Sequence, residues 1–179
     1  MVLPRNHDRY DEHIKRAART AGIDWLLLKV VVAQESRFDP KAFRKEPGPP
    51  GYGSYGLTQI LSSTAARDYG IRDPKVLFDV DTNLRIGADY LRRMLVACKG
   101  DVKLALASYN CGPGRVRALV NEHGWDYDKV EPHLPLTTQR YVQKVLAYRD
   151  AFAKKVGDGH SVAAGGEKAA DHARDDGVT

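Results

Sequence analysis

Residues 24–55 hold the feature that most restricts the fold of this chain: an almost wholly apolar segment followed at once by one that cannot be a regular helix. Asp24, a good N-cap residue, precedes the run WLLLKVVVAQES at 25–36, which has almost no polar face. Residues 37–55 then contain four prolines and three glycines, which interrupt helices. We therefore predict a buried central helix that leads into a long surface loop or small hairpin, although the β-branched residues of 25–36 would also suit a buried strand.

Several other segments have apolar residues at three- and four-residue steps, a pattern that predicts amphipathic helices. These segments are 8–21, 63–69, 81–98, 101–110, 115–122 and a final helix near Thr138. Asp81 and Thr138 are the expected N-caps of two of them. We predict a mainly α fold with at most a small hairpin: one compact helical domain over residues 8–156, with an active-site cleft. Residues 157–179 are rich in Gly, Ala and Asp and lack aromatic residues, which predicts a flexible C-terminal tail.

The net charge of +5 favours contact with polyanions, such as nucleic acid, anionic lipid or an acidic polymer of a cell envelope. Two pairs of arginines could form a basic face for nucleic acid: Arg92 with Arg93, and Arg115 with Arg117. A solvated helix surface explains these arginines better, so we expect no nucleic-acid partner.

Cysteine and histidine usage gives little support for a metal site. Cys98 and Cys111 are the only cysteines, and the six histidines show no metal-ligand spacing. We expect two free, partly buried thiols, with a single disulfide bridge as the alternative, and we expect no metal and no cofactor. No stretch approaches the roughly 20 apolar residues that cross a bilayer, and the first ten residues lack the apolar core of a secretory signal. We therefore expect no membrane span, and export either by another route or after removal of a signal.

Glu35 is the strongest candidate for chemistry, because it ends the most apolar segment immediately before the breaker-rich loop. Apolar neighbours and the negative end of a helix dipole both disfavour an ionised carboxylate, so we expect a raised pKa. A carboxyl group with a raised pKa can act as a general acid at neutral pH. The alternative is a glutamate that only caps the helix and points to water.

Four separated motifs occur in order along the chain. They are Glu35-Ser36 with Asp39-Pro40, GLTQI at 56–60, ASYNCGPG at 107–114 and Tyr141-Val142, and the long helix adds Asn83, Gly87 and Tyr90-Leu91. Their order, spacing and residue types resemble the soluble lytic transglycosylases and goose-type lysozymes over residues 10–155, and several ordered motifs are far more specific than one. The resemblance implies a lysozyme-like fold that acts on the glycan strands of bacterial peptidoglycan.

By this resemblance, Glu35 protonates the glycosidic oxygen between N-acetylmuramic acid and N-acetylglucosamine and then acts as a base. The acetamido group of the substrate replaces a carboxylate nucleophile. Lytic transglycosylases close an anhydro ring on the muramic acid, whereas a hydrolytic muramidase admits water. A non-catalytic wall-binding protein is the alternative of another class.

The resemblance also implies a set of substrate-binding residues. They are Ser54, Tyr55, Gly56, Gln59, Tyr109, Asn110 and Tyr141. Gln59 is expected to hydrogen-bond sugar groups, and Gly56 to let the backbone approach the ligand. Tyr141 is expected to hold the Glu35 carboxyl group, and Asn110 to fix the neighbouring turn. Taken alone, Gln59 would stabilise a loop and Tyr109 and Tyr141 would be core aromatics.

Three positions depart from the family pattern: Thr58 replaces a usual methionine, Arg44 replaces a serine, and Thr137 replaces a second glutamate. Ser54 could substitute for the missing serine, and Glu46 could orient a water in a hydrolytic reaction. We expect a monomer that acts in the periplasm or cell envelope. A phage enzyme such as an endolysin, a secretion-system component and a truncated periplasmic protein all fit such a chain.

Overall fold

The computed structural model describes residues 2–163, with side chains through Lys155. The helices are α1 (Asp11–Ala21), α2 (Trp25–Ser36), α3 (Ser62–Tyr69), α4 (Val80–Ala97), α5 (Val102–Cys111), α6 (Pro113–His123), α7 (Tyr127–Val130) and α8 (Leu136–Ala163), with short 3-10 helices at Pro74–Phe78 and Glu131–His133. The predicted mainly α fold is confirmed. The four-residue α7 and the 3-10 helices are too short to give a periodic signal, so the pattern did not predict them.

Helix α2 lies at the centre of the core, packed against α1 and α8. The Asp24 side chain accepts a hydrogen bond from the Leu26 amide at 2.9 Å, as expected of an N-cap. Eight of its residues are buried. Arg37 ends the helix in the left-handed region at φ 54°, so the alternative of a buried strand is wrong.

The breaker-rich segment forms a small antiparallel sheet of three strands, β1 (Phe43–Lys45), β2 (Gly53–Tyr55) and β3 (Ile60–Leu61), in the order β1-β2-β3. The register pairs Phe43 with Tyr55 and Ser54 with Leu61. The hairpin between β1 and β2 agrees with the prediction. The third strand has only two residues, which cannot show an alternating pattern.

Asn83, on α4, joins the long helix to this sheet. Its amide nitrogen donates to the carbonyls of Tyr55 and Leu77, each at 2.9 Å. Its oxygen accepts from the Thr58 amide at 2.8 Å and the Thr58 hydroxyl at 2.7 Å. Because Asn83 is 1 % exposed, these bonds replace water for every polar atom of its side chain and fix the 55–58 turn against α4.

Two of the predicted N-caps are wrong. Asp79 caps α4 by accepting a hydrogen bond from the Thr82 amide at 2.8 Å. Asp81 lies inside the helix, and its carboxylate contacts His13 and Arg16 of α1. Helix α8 begins at Leu136, and Thr138 lies buried inside its first turn. Tertiary contacts of the aspartate and threonine side chains therefore decide these helix starts.

The two cysteines are free, as predicted. Among the described residues, none of the helices combines the length and the apolar character needed to cross a membrane. The expected tail from residue 157 falls partly on α8, whose backbone continues to Ala163. Residues 164–179 lie outside the described residues, so the tail stays a prediction from the sequence.

Candidate active site

Glu35 lies in the last turn of α2 and lines an open cleft of about 590 Å³. Burial raises the pKa of its carboxyl group from 4.5 to about 7. The neighbouring Tyr141 hydroxyl and the positive charge of Arg44 oppose this rise and lower the pKa. With a pKa near neutrality, a substantial fraction of Glu35 is protonated and able to give up a proton at pH 7. Glu35 is half-buried in the wall of this cleft, which favours the predicted role over that of a glutamate that only caps the helix.

Tyr141 projects from α8 toward Glu35 and is 5 % exposed. Its hydroxyl adjoins the Glu35 carboxyl group, yet it completes no well-formed hydrogen bond within the described residues. Burial, followed by the charge of Glu35, raises the pKa of Tyr141 well above its ordinary value. The phenol therefore stays neutral and can donate to the Glu35 carboxylate once that group has lost its proton.

Tyr109 forms part of the cleft wall from α5. Its hydroxyl donates to the Thr58 carbonyl at 2.8 Å, which links α5 to the 55–58 turn. Its ring meets Tyr90 edge-on, with centroids 5.2 Å apart. Since the hydroxyl is already engaged, the ring is the part of Tyr109 that can contact a ligand.

Asn110, the next residue, is exposed in the same cleft. Its side-chain oxygen accepts from the Thr138 hydroxyl at 2.8 Å and so ties the end of α5 to the start of α8. This bond joins two helices, whereas the resemblance led us to expect that Asn110 fixes the neighbouring turn. Among the described residues, its amide nitrogen forms no hydrogen bond with another side chain or the backbone.

Gln59 lines the cleft, but its amide nitrogen is hydrogen-bonded to the protein backbone. That nitrogen donates to the carbonyls of Ala42 at 3.0 Å and Gly56 at 2.9 Å. Gln59 also has a positive φ of 50°, which is uncommon outside glycine and marks a constrained turn. Among the described residues its oxygen accepts no hydrogen bond, so the oxygen is the atom available to a sugar.

The β1–β2 hairpin presents different residues on its two faces, because side chains alternate along a strand. Arg44, Glu46 and Ser54 line the cleft. Tyr55 is on the other face, where its hydroxyl donates to the Gly51 carbonyl at 2.5 Å. The expectation that Tyr55 binds substrate in the cleft is therefore wrong.

Gly56 also has a different role from the one expected. Its φ is +72°, and an added Cβ would collide with the Leu77 carbonyl oxygen and the Asn83 side chain. The glycine is thus required by close packing of the turn against α4, and it does not line the cleft.

Arg44 and Glu46 form an ion pair at the cleft, with Nε and Oε1 2.9 Å apart. Ser54 sits opposite Arg44 in the hairpin and is 3 % exposed. The sequence did not single out the part of the cleft lined by Ser63, Thr64 and Arg67, because α3 carries no family motif. No group of three or more metal-ligating residues occurs in the part of the chain that the structure describes.

A helical domain with a small sheet, and a cleft glutamate at the end of a buried helix whose pKa burial raises, is typical of the lysozyme-like class. The Transglycosylase SLT domain family matches residues 12–131. The chain belongs to this family, and the resemblance noted from its motifs is confirmed.

Known proteins agree with this assignment. The chain is 31 % identical over 158 residues to the soluble lytic murein transglycosylase of Escherichia coli K12, covering 83 % of this chain and 24 % of that protein. It is 32 % identical over 154 residues to the membrane-bound lytic murein transglycosylase F of Alcanivorax borkumensis, covering 79 % and 31 %. The chain thus spans about a quarter to a third of the length of these relatives.

Two solved structures have the same fold. An inactive mutant of the lytic transglycosylase Slt from Pseudomonas aeruginosa matches with a TM-score of 0.70 at 30 % identity, covering 87 % of this chain and 25 % of that one. The 70 kDa soluble lytic transglycosylase of Escherichia coli matches with a TM-score of 0.69 at 30 % identity, covering 83 % and 24 %.

Proposed function

We propose that this chain cleaves the bond between N-acetylmuramic acid and N-acetylglucosamine in peptidoglycan and leaves anhydro-muramyl ends. The observation that carries the proposal is Glu35, a cleft glutamate whose pKa burial raises to about 7. The names of the relatives, lytic murein transglycosylases, support the same substrate.

The first step is protonation of the glycosidic oxygen by neutral Glu35, which lets the bond to the muramyl anomeric carbon break. By the family resemblance, the acetamido oxygen of the muramyl residue stabilises that carbon in place of a carboxylate nucleophile. The second carboxylate of the cleft, Glu46, is paired with Arg44. Glu35 is left as a carboxylate beside the Tyr141 hydroxyl and near the Arg44 charge, both of which favour its ionised form.

The second step returns the proton. Carboxylate Glu35 takes the proton of the muramyl C6 hydroxyl while that oxygen bonds to the anomeric carbon, and an anhydro ring closes. Glu35 ends protonated again, and no water is consumed. In a hydrolytic muramidase a water would replace the C6 hydroxyl in this step. Glu46 is the carboxylate that could orient such a water, but in this chain it is paired with Arg44.

The other cleft residues bind and position the substrate in this proposal. Ser54, Gln59 and Asn110 offer polar groups to sugar hydroxyl and acetamido groups, and Tyr109 offers its ring. Arg44 and Arg67 add positive charge to the cleft, which suits a substrate that bears carboxylates. We also propose that the chain acts as a monomer in the cell envelope, where peptidoglycan is found.

The test is mass spectrometry of sacculi digested by the wild type and by Glu35→Gln. Anhydro-muramyl ends from the wild type alone would support the proposal, and reducing muramyl ends would make the enzyme a hydrolase. Glu122→Gln, at an exposed position on α6, is the matched control and should act like the wild type. If no product appears, or if Glu35→Gln is as active as the wild type, the catalytic reading is wrong and the chain is a wall-binding protein.

A further inference from the structure

The face of the hairpin that points away from the cleft carries a chain of three aromatic rings. The ring centroids of Phe43 and Tyr55 are 4.8 Å apart, and those of Tyr55 and Phe78 are 5.3 Å apart. These rings line a separate open cavity of about 560 Å³. Phe43 is 47 % exposed, so an aromatic surface is left accessible on a side of the protein that the proposed reaction does not use.

Three lysines surround this aromatic surface. Lys45 and Lys75 line the cavity, and the Lys41 ammonium lies 5.3 Å from the centre of the Phe78 ring. All three are exposed. Within residues 2–163, none of them forms an ion pair with a carboxylate. Their positive charge is therefore available to an external anion.

We propose that this surface, named here the aromatic–lysine face (Lys41, Phe43, Lys45, Tyr55, Lys75 and Phe78), binds a carboxylate-bearing saccharide of the peptidoglycan. The apolar C–H face of a pyranose can cover Phe43, which removes apolar area from water. A carboxylate on the same saccharide can be held by Lys45 and Lys75. Charge complementarity selects an acidic glycan, and the identity of this ligand rests on the proposed function.

The aromatic–lysine face and the cleft lie on opposite faces of the same hairpin. Arg44 and Ser54 point into the cleft from the same strands whose Phe43 and Tyr55 form the aromatic–lysine face. One small sheet therefore separates the two sites. The face holds a second strand or stem while the cleft holds the strand to be cut, so it contributes to binding of the insoluble wall and not to cleavage of a short substrate.

A concave surface favours a saccharide over a membrane. Insertion into a lipid headgroup region requires apolar side chains that protrude from a basic surface. Here only Phe43 protrudes, at 47 % exposed, whereas the rings of Tyr55 and Phe78 lie in the wall of a cavity and Tyr55 is only 5 % exposed, so one ring is left to insert. Because three lysines would also attract an anionic membrane, the experiment must distinguish binding to lipid from binding to the glycan.

The experiment measures binding to purified sacculi by co-sedimentation, in the Glu35→Gln background so that the wall is not digested. Lys45→Gln with Lys75→Gln should weaken binding about tenfold, equivalent to about 1.4 kcal/mol. Lys129→Gln with Lys144→Gln removes the same charge from exposed positions elsewhere and should bind like the parent. Equal losses in the two double variants would mean that only net charge matters and would overturn the proposal.

Two further arms keep the outcomes distinct. With Glu35 intact, Lys45→Gln with Lys75→Gln should cleave short soluble glycan oligomers at the wild-type rate, and a wild type that cleaves nothing would instead refute the proposed function. Binding to phosphatidylglycerol vesicles tests the membrane. If the double variant loses vesicle binding but keeps sacculus binding, the face binds lipid and the proposal is wrong. Phe43→Ala should reproduce the loss of sacculus binding, with its melting temperature measured because Phe43 packs on Tyr55.

Discussion

The hydroxyl group of Tyr141, on α8, adjoins the carboxyl group of Glu35 at the end of α2. The two helices pack directly on each other, so the core of the domain brings a neutral phenol to a carboxyl group that burial keeps partly protonated. Burial raises the pKa of Glu35, and the phenol and Arg44 limit that rise. These opposing effects leave the pKa of Glu35 at about 7, so the carboxyl group can both give and take a proton at neutral pH.

Tyr141→Phe removes the phenol beside Glu35 and should raise the pKa of that carboxyl group, since the hydroxyl lowers it. We expect the alkaline limb of the pH–rate profile to move to higher pH. The rate should also fall about tenfold, because the Glu35 carboxylate formed in the first step can no longer accept a hydrogen bond from the phenol. Tyr148→Phe, on the same helix, is the control and should leave the profile unchanged. An unshifted profile in Tyr141→Phe would mean that the tyrosine only packs.

Arg44→Gln should shift the profile in the same direction, because the charge of Arg44 lowers the pKa of Glu35. The measurement is kcat/KM against pH on a short glycan oligomer. Arg44→Gln also releases Glu46 from its ion pair, so Arg44→Gln with Glu46→Gln separates the loss of Arg44 from the freed negative charge. Arg72→Gln changes an exposed charge outside the cleft and serves as the control. A shift as large in Arg72→Gln would contradict a local effect.

Glu35→Gln should stabilise the fold at high pH. The pKa of Glu35 is about 7 in the folded state against an ordinary 4.5, so the folded state binds more protons between these values and wild-type stability falls as pH rises through them. The free energy of unfolding of Glu35→Gln should exceed that of the wild type by up to about 3 kcal/mol near pH 8, with the pH-dependent gain gone near pH 4. Urea unfolding at the two pH values measures this.

For the control, Glu122→Gln should show no comparable pH-dependent gain, because Glu122 is exposed on α6. Equal gains for Glu35→Gln at the two pH values would argue against the raised pKa. The same variant thus tests catalysis and stability, and the two results are independent. A glutamate that lowers stability at working pH while serving the reaction is expected of an active-site group.

Features set by neighbouring residues in the sequence were predicted well. Helix α2 was predicted with its observed bounds, because Asp24 caps it and a breaker-rich segment follows. Glu35 was singled out by its place at the end of an apolar run, and the resemblance of the motifs then favoured it over a glutamate that only caps the helix. The N-cap of α4 was wrong because Asp79 and Asp81 are both suitable caps, and only the contact of Asp81 with His13 and Arg16 decides between them.

Features set by distant residues were not predictable. The resemblance placed Tyr55 in the cleft with Ser54, but the pairing of β2 with β1 turns Ser54 to the cleft and the next residue, Tyr55, to the opposite face. Gly56 is needed because Asn83, far along the chain, packs against it. The aromatic–lysine face joins β1, β2 and the 3-10 helix at Pro74–Phe78, which no single sequence pattern connects.

Asn83→Ala should be among the most destabilising single changes outside the cleft. It would leave the Tyr55 and Leu77 carbonyls and the Thr58 amide without the partners they now have at 2.8–2.9 Å. Because these groups are buried, we expect the free energy of unfolding to fall by about 3 kcal/mol or more in urea titrations. Asn121→Ala, at an exposed position of α6, should change it by less than about 0.5 kcal/mol. A loss in Asn83→Ala no larger than in this control would show that the 55–58 turn holds its shape without α4.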